Sequence, residues 1–107
     1  MPTLHDVRIE GGARVPYARS GARSGLPTIL VHGLTDSWRS FEGVMARLPG
    51  HLPVLAPTLR GHGDAGRPAG PYDLPALAGE LLGLIDALAI ERAMVVGHSM
   101  GAAVALR

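Results

Sequence analysis

The stretch AMVVGHSMG, residues 93–101, decides how the rest of this sequence is interpreted. It begins with an apolar run at 93–96 and continues into a segment that has a glycine at each end. An apolar run of this length is too short for a helix and is typical of a strand buried on both faces. The apolar residues 102–106 that follow indicate the start of a helix, so the stretch predicts a buried strand that turns directly into a helix.

Residues 97–101, Gly-His-Ser-Met-Gly, match the G-x-S-x-G pattern of a nucleophile elbow. A serine hydroxyl is a poor nucleophile unless it is exposed, oriented and paired with a base. A tight strand-to-helix turn would lift Ser99 Oγ above the sheet and place it at a helix N-terminus, where amides favour negative charge. Gly97 and Gly101 are expected there because a Cβ at either position would collide with a neighbouring strand or helix. Ser99 is therefore the candidate nucleophile, and its position disfavours a glycine-rich turn with an incidental serine.

Strands and helices alternate in the rest of the chain. The sequence predicts an opening β-hairpin over 6–10 and 14–19, strands at 28–31, 53–57 and 93–96, and a loop over 60–71. Such alternation predicts an α/β fold, in which an N-terminal antiparallel hairpin precedes parallel strands with helices on both faces and right-handed crossovers.

Two segments have apolar residues at helical spacing. The first follows a cap at Asp36 or Ser37, and the second follows a cap at Asp73. Their apolar positions are Trp38, Phe41, Val44, Met45 and Leu48 in the first, and Leu74, Leu77, Leu81, Leu84, Ile85 and Leu88 in the second.

The end of the strand at 28–31 supplies a second candidate feature, His32-Gly33-Leu34-Thr35. Acyl transfer requires two N–H donors directed at the developing oxyanion. The amides of Met100 and Leu34 are the candidates, with Gly33 allowing the backbone to turn towards the site. The first and third buried strands are expected to be neighbours. His32 is expected to brace this loop rather than to act as a base, and the His98 side chain is expected to point away from Ser99.

Three segments, 32–38, 60–64 and 97–101, together resemble the α/β-hydrolase superfamily in their order and spacing. The resemblance covers nearly the whole chain and implies an eight-stranded, mostly parallel sheet, of which this chain would supply the first five strands. It carries Ser99 over as nucleophile, carries Leu34 and Met100 over as oxyanion amides, and implies a bracing role for the 60–64 loop. Haloalkane dehalogenase and epoxide hydrolase relatives have an aspartate at the nucleophile position, so Ser99 favours an acyl-enzyme route. The His-Gly-Gly-Gly loop of lipases is absent.

The catalytic triad in this fold runs nucleophile, acid, histidine along the chain. Residues 100–107 contain no His, Asp or Glu, and every histidine precedes Ser99. We therefore expect residues 1–107 to form a partial domain that ends after the elbow strand and the start of its helix. The acid, the histidine and the lid would then lie elsewhere, and the fragment would be inactive alone. The strand at 93–96 would be left as an exposed apolar edge through which copies could associate.

Composition restricts the remaining possibilities. Hydrophobic residues make up 47% of the 107-residue chain and charged residues 18%, which is typical of a globular domain. The formal net charge of +1, without a basic block, favours neither nucleic acid nor an anionic membrane as partner. There is no cysteine, no signal peptide pattern and no apolar run long enough for a membrane span. We expect a cytoplasmic protein without metal or cofactor, acting on a small molecule.

The full-length protein is therefore expected to be a serine hydrolase, esterase-like, acting on a small ester, lactone or related carbonyl compound. One alternative is a non-catalytic ligand-binding or receptor-like protein on the same scaffold, because fold does not fix function. Another is a carbon–carbon bond hydrolase or acyltransferase that uses the same serine.

Overall fold

The computed structural model describes residues 2–9, 14–33, 37–59, 74–98 and 101. In this part of the chain five strands form one sheet, and helices pack on it. The strands are β1 (Thr3–Arg8), β2 (Arg14–Ser20), β3 (Thr28–Val31), β4 (Val54–Pro57) and β5 (Met94–Gly97). A 3₁₀ turn at Trp38–Phe41 leads into helix α1 (Glu42–Arg47), and helix α2 spans Leu74–Ala87.

The strands lie in the order β1-β2-β4-β3-β5. The hairpin β1–β2 is antiparallel, and β2 also pairs antiparallel with β4. By contrast, β3 runs parallel to both β4 and β5. This arrangement confirms the predicted fold class and places β3 and β5 side by side, as predicted for the first and third buried strands.

Helices pack on both faces of the sheet. Because side chains alternate across a strand, each face has its own buried cluster. On one face the α2 residues Leu77, Leu81 and Leu84 pack on a cluster that includes Ile29 and Leu55. On the other face Trp38 and Met45 pack with residues from β2, β3 and β4: Ala18, Leu30, Val54 and Ala56. Helices on both faces, and the apolar stripe of α2 over 77–88, are confirmed.

Two details differ from the sequence prediction. The first strand was expected over 6–10 but covers Thr3–Arg8, because it is an edge strand with mostly exposed side chains and little hydrophobic alternation. Val44 was placed on the buried face of its helix but is 49% exposed. The segment opens with a 3₁₀ turn of three residues per turn, so its apolar residues do not follow one α-helical period. Ser37 does cap this turn, accepting the N–H of Arg39 at 3.2 Å.

Several predicted features lie outside the described residues: the loop over 60–71, the cap at Asp73, and the helix expected after residue 101. Among the helices that the structure describes, none has both the length and the hydropathy that crossing a membrane requires.

The two edges of the sheet differ in chemistry. The β1 edge carries polar and charged residues, including Asp6, which forms an ion pair with Arg14 at 2.7 Å. The β5 edge is apolar, and its side chains are exposed to 61% (Met94), 38% (Val95) and 48% (Val96). An uncharged apolar edge strand presents unpaired backbone groups and is a template for pairing with another strand.

We propose that the 107-residue chain, produced alone, associates through β5. Val96→Lys should lower the mass measured by light scattering towards that of a monomer, because it places a charge on the pairing edge. Val44→Lys is the matched control, since Val44 is equally exposed but lies on α1. A monomeric parent chain, or equal effects of the two variants, would contradict the proposal.

Candidate active site at the carboxyl ends of β3 and β5

The chain turns tightly directly after β5. The N–H of His98 donates to the carbonyl oxygen of Val31 at 3.0 Å, and the N–H of Gly101 donates to the carbonyl oxygen of His98 at 2.9 Å. Gly101 is already helical. The G-x-S-x-G motif therefore coincides with a strand-to-helix connection that is hydrogen-bonded to the end of β3. Ser99 and Met100 themselves lie outside the described residues.

Gly101 lies directly against the backbone of β3. A Cβ at this position would overlap the carbonyl oxygen of Val31 and would lie 2.6 Å from that of His32. A contact of this kind with backbone cannot be relieved by rotating a side chain. Position 101 thus requires glycine, and the glycine brings the elbow against the loop that follows β3.

This contact predicts opposite effects at two glycines. In the complete gene product, Gly101→Ala should destabilise the fold by about 3 kcal/mol, since overpacking against backbone must displace β3 or the helix. Gly79→Ala should stabilise it by about 0.5–1 kcal/mol, because the helical Gly79 has no atom within 4 Å of its added Cβ. Urea unfolding of both variants measures the difference. A neutral Gly101→Ala would show that the elbow does not need this close approach.

The loop after β3 starts with two buried residues, His32 and Gly33. His32 is fully buried, and its Nδ1 lies 2.7 Å from the carbonyl oxygen of Gly33. Its Nε2 lies 3.0 Å from the backbone nitrogen of Leu59, the second residue after β4. The ring therefore joins the loops that follow β3 and β4.

These partners determine the protonation of His32. A carbonyl oxygen can only accept, so Nδ1 carries a proton and donates it. A backbone N–H can only donate, so Nε2 must be an unprotonated acceptor. His32 is thus a neutral imidazole with both nitrogens bonded to the backbone, and its Nε2 lone pair already accepts a hydrogen bond.

The register between β3 and β5 determines which of the following segments lie side by side. Val31 and Gly97 are paired at the ends of β3 and β5. His32-Gly33 and His98 consequently leave the sheet at the same end, where β3 and β5 have their carboxyl ends. Binding crevices of open α/β sheets lie at the carboxyl ends of the strands, as these loops do.

The predicted site residues divide into two groups. Ser99, Leu34 and Met100, which were predicted to supply the nucleophile and the oxyanion amides, lie outside the described residues, and their roles stay predictions. The supporting residues that the structure describes lie around the carboxyl ends of β3 and β5. Three of them, His32, Gly33 and Gly101, are buried. Gly97 is half-buried, and the side chain of His98 is exposed.

Two residues that sequence reasoning missed hold this region together. Thr58, buried directly after β4, accepts the N–H of Trp38 through Oγ1 at 3.1 Å and so fixes the turn that opens α1. Leu59 acts on His32 through its backbone N–H, which no side-chain pattern can reveal. A threonine directly after a buried strand was the available signal for Thr58.

A cavity of about 590 Å³ lies elsewhere. It is lined by Pro27, Pro53 and Arg92, which precede β3, β4 and β5, so it opens at the amino ends of the parallel strands. It is therefore at the opposite end of the sheet from the elbow. Within the described part of the chain, no cluster of three or more His, Cys, Asp or Glu could hold a metal ion.

Comparisons with known proteins agree with the fold described above. A sequence model of the alpha/beta hydrolase family matches residues 28–107. The soluble epoxide hydrolase of Corynebacterium sp. strain C12 is 35% identical over 103 residues, covering 96% of this chain and 35% of that enzyme. The 2-hydroxy-6-oxo-2,4-heptadienoate hydrolase of Pseudomonas putida is 37% identical over 102 residues, covering 92% and 36% respectively. A solved structure of E-2-(acetamidomethylene)succinate hydrolase superposes with a TM-score of 0.89 at 31% identity, covering 99% of this chain and 38% of that one.

The chain belongs to the α/β hydrolase family, since the family match extends over most of its length and includes all the strands of the parallel part of the sheet. It spans about a third of the length of these relatives.

Proposed function

We propose that this chain supplies the nucleophile half of a hydrolase in which Ser99 attacks the carbonyl carbon of a small ester or lactone. The observation that carries the proposal is the position of the G-x-S-x-G motif on the connection from β5 to a helix. That connection is held by the hydrogen bonds of His98 and Gly101. A strand–turn–helix context is what distinguishes a nucleophile elbow from a chance match.

The serine separates this chain from part of its family. Epoxide hydrolases are among its relatives. The family resemblance implies that members that open epoxides or remove halides have an aspartate where this chain has Ser99. A carboxylate attacks a carbon that bears a leaving group, whereas a serine hydroxyl adds to a carbonyl and forms an acyl-enzyme. We therefore propose a carbonyl substrate and not an epoxide.

The proposed oxyanion donors are the amides of Leu34 and Met100. In support, the pairing of Val31 with Gly97 brings the loop after β3 beside the elbow. Gly101 packs directly against the β3 backbone. Two amides from these two segments could converge on one oxygen, and preorganised backbone donors stabilise an oxyanion strongly.

The acid and the general base are proposed to come from outside this chain. His32 is committed to backbone hydrogen bonds through both nitrogens, and residues 100–107 contain no His, Asp or Glu. The relatives are about three times as long as this chain, and in this fold the acid and histidine follow the nucleophile. The chain alone should accordingly show no esterase turnover.

Carbon–carbon bond hydrolysis is the second candidate, because one relative is a 2-hydroxy-6-oxo-2,4-heptadienoate hydrolase at 37% identity. The same serine site serves both reactions, and the residues that select the substrate decide between them. Comparing turnover of a p-nitrophenyl ester with that of a vinylogous 1,5-diketone distinguishes the two candidates.

Ser99→Ala in the complete gene product is the direct test. It should abolish both p-nitrophenyl acetate turnover and covalent labelling by a fluorophosphonate, because both require the Oγ nucleophile. Ser24→Ala is the matched control, since Ser24 is exposed in the β2–β3 loop, away from the elbow, and should leave both unchanged.

Labelling that persists in Ser99→Ala would remove Ser99 from the reaction. A parent protein that binds small carbonyl compounds but is neither labelled nor active would instead favour the receptor-like alternative. Turnover of epoxides by the parent protein would contradict the inference drawn from the serine.

A further inference from the structure

The cavity at the amino ends of the parallel strands has no part in the reaction proposed at the elbow. Its volume of about 590 Å³ lies within the range of about 300–1,000 Å³ that is typical of small-molecule sites. Its walls come from the β2–β3 loop, the starts of β3 and β4, and the segment that joins α2 to β5. Apolar side chains, among them Leu26, Leu55 and Ile90, line it together with a small number of charged residues.

Positive charge dominates among those charged residues. The cavity is lined by Arg19, Arg23 and Arg92, and Glu91 is the acidic residue beside them. The ion pairs between residues that the structure describes do not include any of these three arginines. A cleft lined by one sign of charge concentrates ions of the opposite sign, so the lining favours an anion.

Arg19 is the best placed of the three to anchor an anion. It is paired with Leu55 across β2 and β4, and alternation along β2 puts it on the same face as Tyr17, the face that α2 covers. Arg19 is half-buried, whereas Arg23 and Arg92 are exposed. Solvent and salt therefore screen its attraction to an anion less than they screen that of the other two.

The backbone around the cavity favours a singly charged anion. Pro27 and Pro53 have no N–H, and the N–H groups of Thr28 and Met94 already donate to the carbonyl oxygens of these two prolines, each at 2.9 Å. Phosphate sites commonly use free amides at a helix N-terminus. Here the residues that follow α2 line the cavity, so the negative end of that helix dipole faces it. The dipole and Glu91 both oppose a dianion.

Backbone strain marks the same cavity. Ala89, the second residue after α2, has φ of 54°, in the left-handed region where a helix usually ends on glycine. Hydrogen bonds from the N–H groups of Ala89 and Ile90 to the carbonyl oxygens of Asp86 and Ile85 hold it there. Residues with a Cβ adopt this conformation at a cost, and such strain clusters at sites that contact ligands. Ala89 lines the cavity.

We propose that this cavity binds a small organic acid. The ionised carboxylate pairs with the three arginines, since a guanidinium matches the geometry of a carboxylate. The aliphatic or aromatic body of the acid lies against Leu26 and Ile90. The site is at the opposite end of the sheet from the elbow, so this inference does not depend on the proposed function.

NMR of the complete gene product titrated with 4-phenylbutyrate tests the proposal. We expect a dissociation constant of about 1 mM or below, as for a ligand of this size, and amide shifts concentrated at residues 23–26 and 88–92. The neutral 4-phenylbutyramide should bind at least about tenfold more weakly, because it has no charge to pair with arginine. Raising the salt concentration should weaken binding of the acid but not of the amide.

Two pairs of variants assign the contacts. Arg19→Gln should weaken binding of 4-phenylbutyrate about tenfold and Arg92→Gln about threefold, with Arg47→Gln, an exposed arginine on α1, as the matched control. Leu26→Ala should weaken it about threefold, because it removes part of the apolar wall. Leu82→Ala is the control for that change, since Leu82 is similarly exposed but lies on α2 away from this cavity.

Equal affinity for the acid and the amide would overturn the proposal, as would equal effects of Arg92→Gln and Arg47→Gln. Shifts confined to residues 32–33 and 97–98 would place the acid at the elbow and overturn it too. Tighter binding of 2-phenylethyl phosphate than of 4-phenylbutyrate would overturn the assignment to a carboxylate. None of these outcomes depends on whether the protein turns over an ester.

Discussion

The close approach of Gly101 to the end of β3 is the constraint on which the rest of the site depends. Only a residue without a Cβ can occupy that position, since the carbonyl oxygens of Val31 and His32 fill the space. The His98 N–H bond to Val31 secures the other end of the same turn. Together they fasten the start of the elbow helix to the strand whose following loop contains His32 and Gly33. Backbone contacts therefore set the geometry of any reaction at this end of the sheet, and the side chains act within that geometry.

A site built in this way can serve different chemistries. The scaffold brings the G-x-S-x-G motif and the loop after β3 to the carboxyl ends of neighbouring strands, and the fold alone does not fix the reaction at such a site. Relatives named as epoxide hydrolases and as a hydrolase of 2-hydroxy-6-oxo-2,4-heptadienoate share this scaffold at similar identity. Overall likeness consequently does not distinguish between their reactions. We propose that the serine makes this distinction and that the preorganised amides supply what the oxyanion of an acyl transfer requires.

The buried strands and α2 could be predicted from sequence because burial imposes a pattern on them. Residues 29–31 and the α2 residues Leu77, Leu81 and Leu84 are apolar, and the structure buries all of them. The edge strand β1 was misplaced because its exposed side chains carry no such pattern, and Val44 was misplaced because a 3₁₀ turn changes the phase of its helix. The need for glycine at 101 followed from the motif. The hydrogen bond between His32 and Leu59 could not be predicted, because every residue other than proline has a backbone N–H and the donor is therefore independent of the side chain.

The most direct measurement is a structure of the complete gene product after reaction with an ester-like fluorophosphonate. We expect a phosphorus–oxygen bond to Ser99 Oγ and a phosphonyl oxygen about 2.7–3.1 Å from the amide nitrogens of Leu34 and Met100. The carbonyl of Gly33 should point away from that oxygen and towards His32. An adduct on another residue, or a phosphonyl oxygen directed into solvent without either amide, would contradict the proposed role of Ser99 and its oxyanion site.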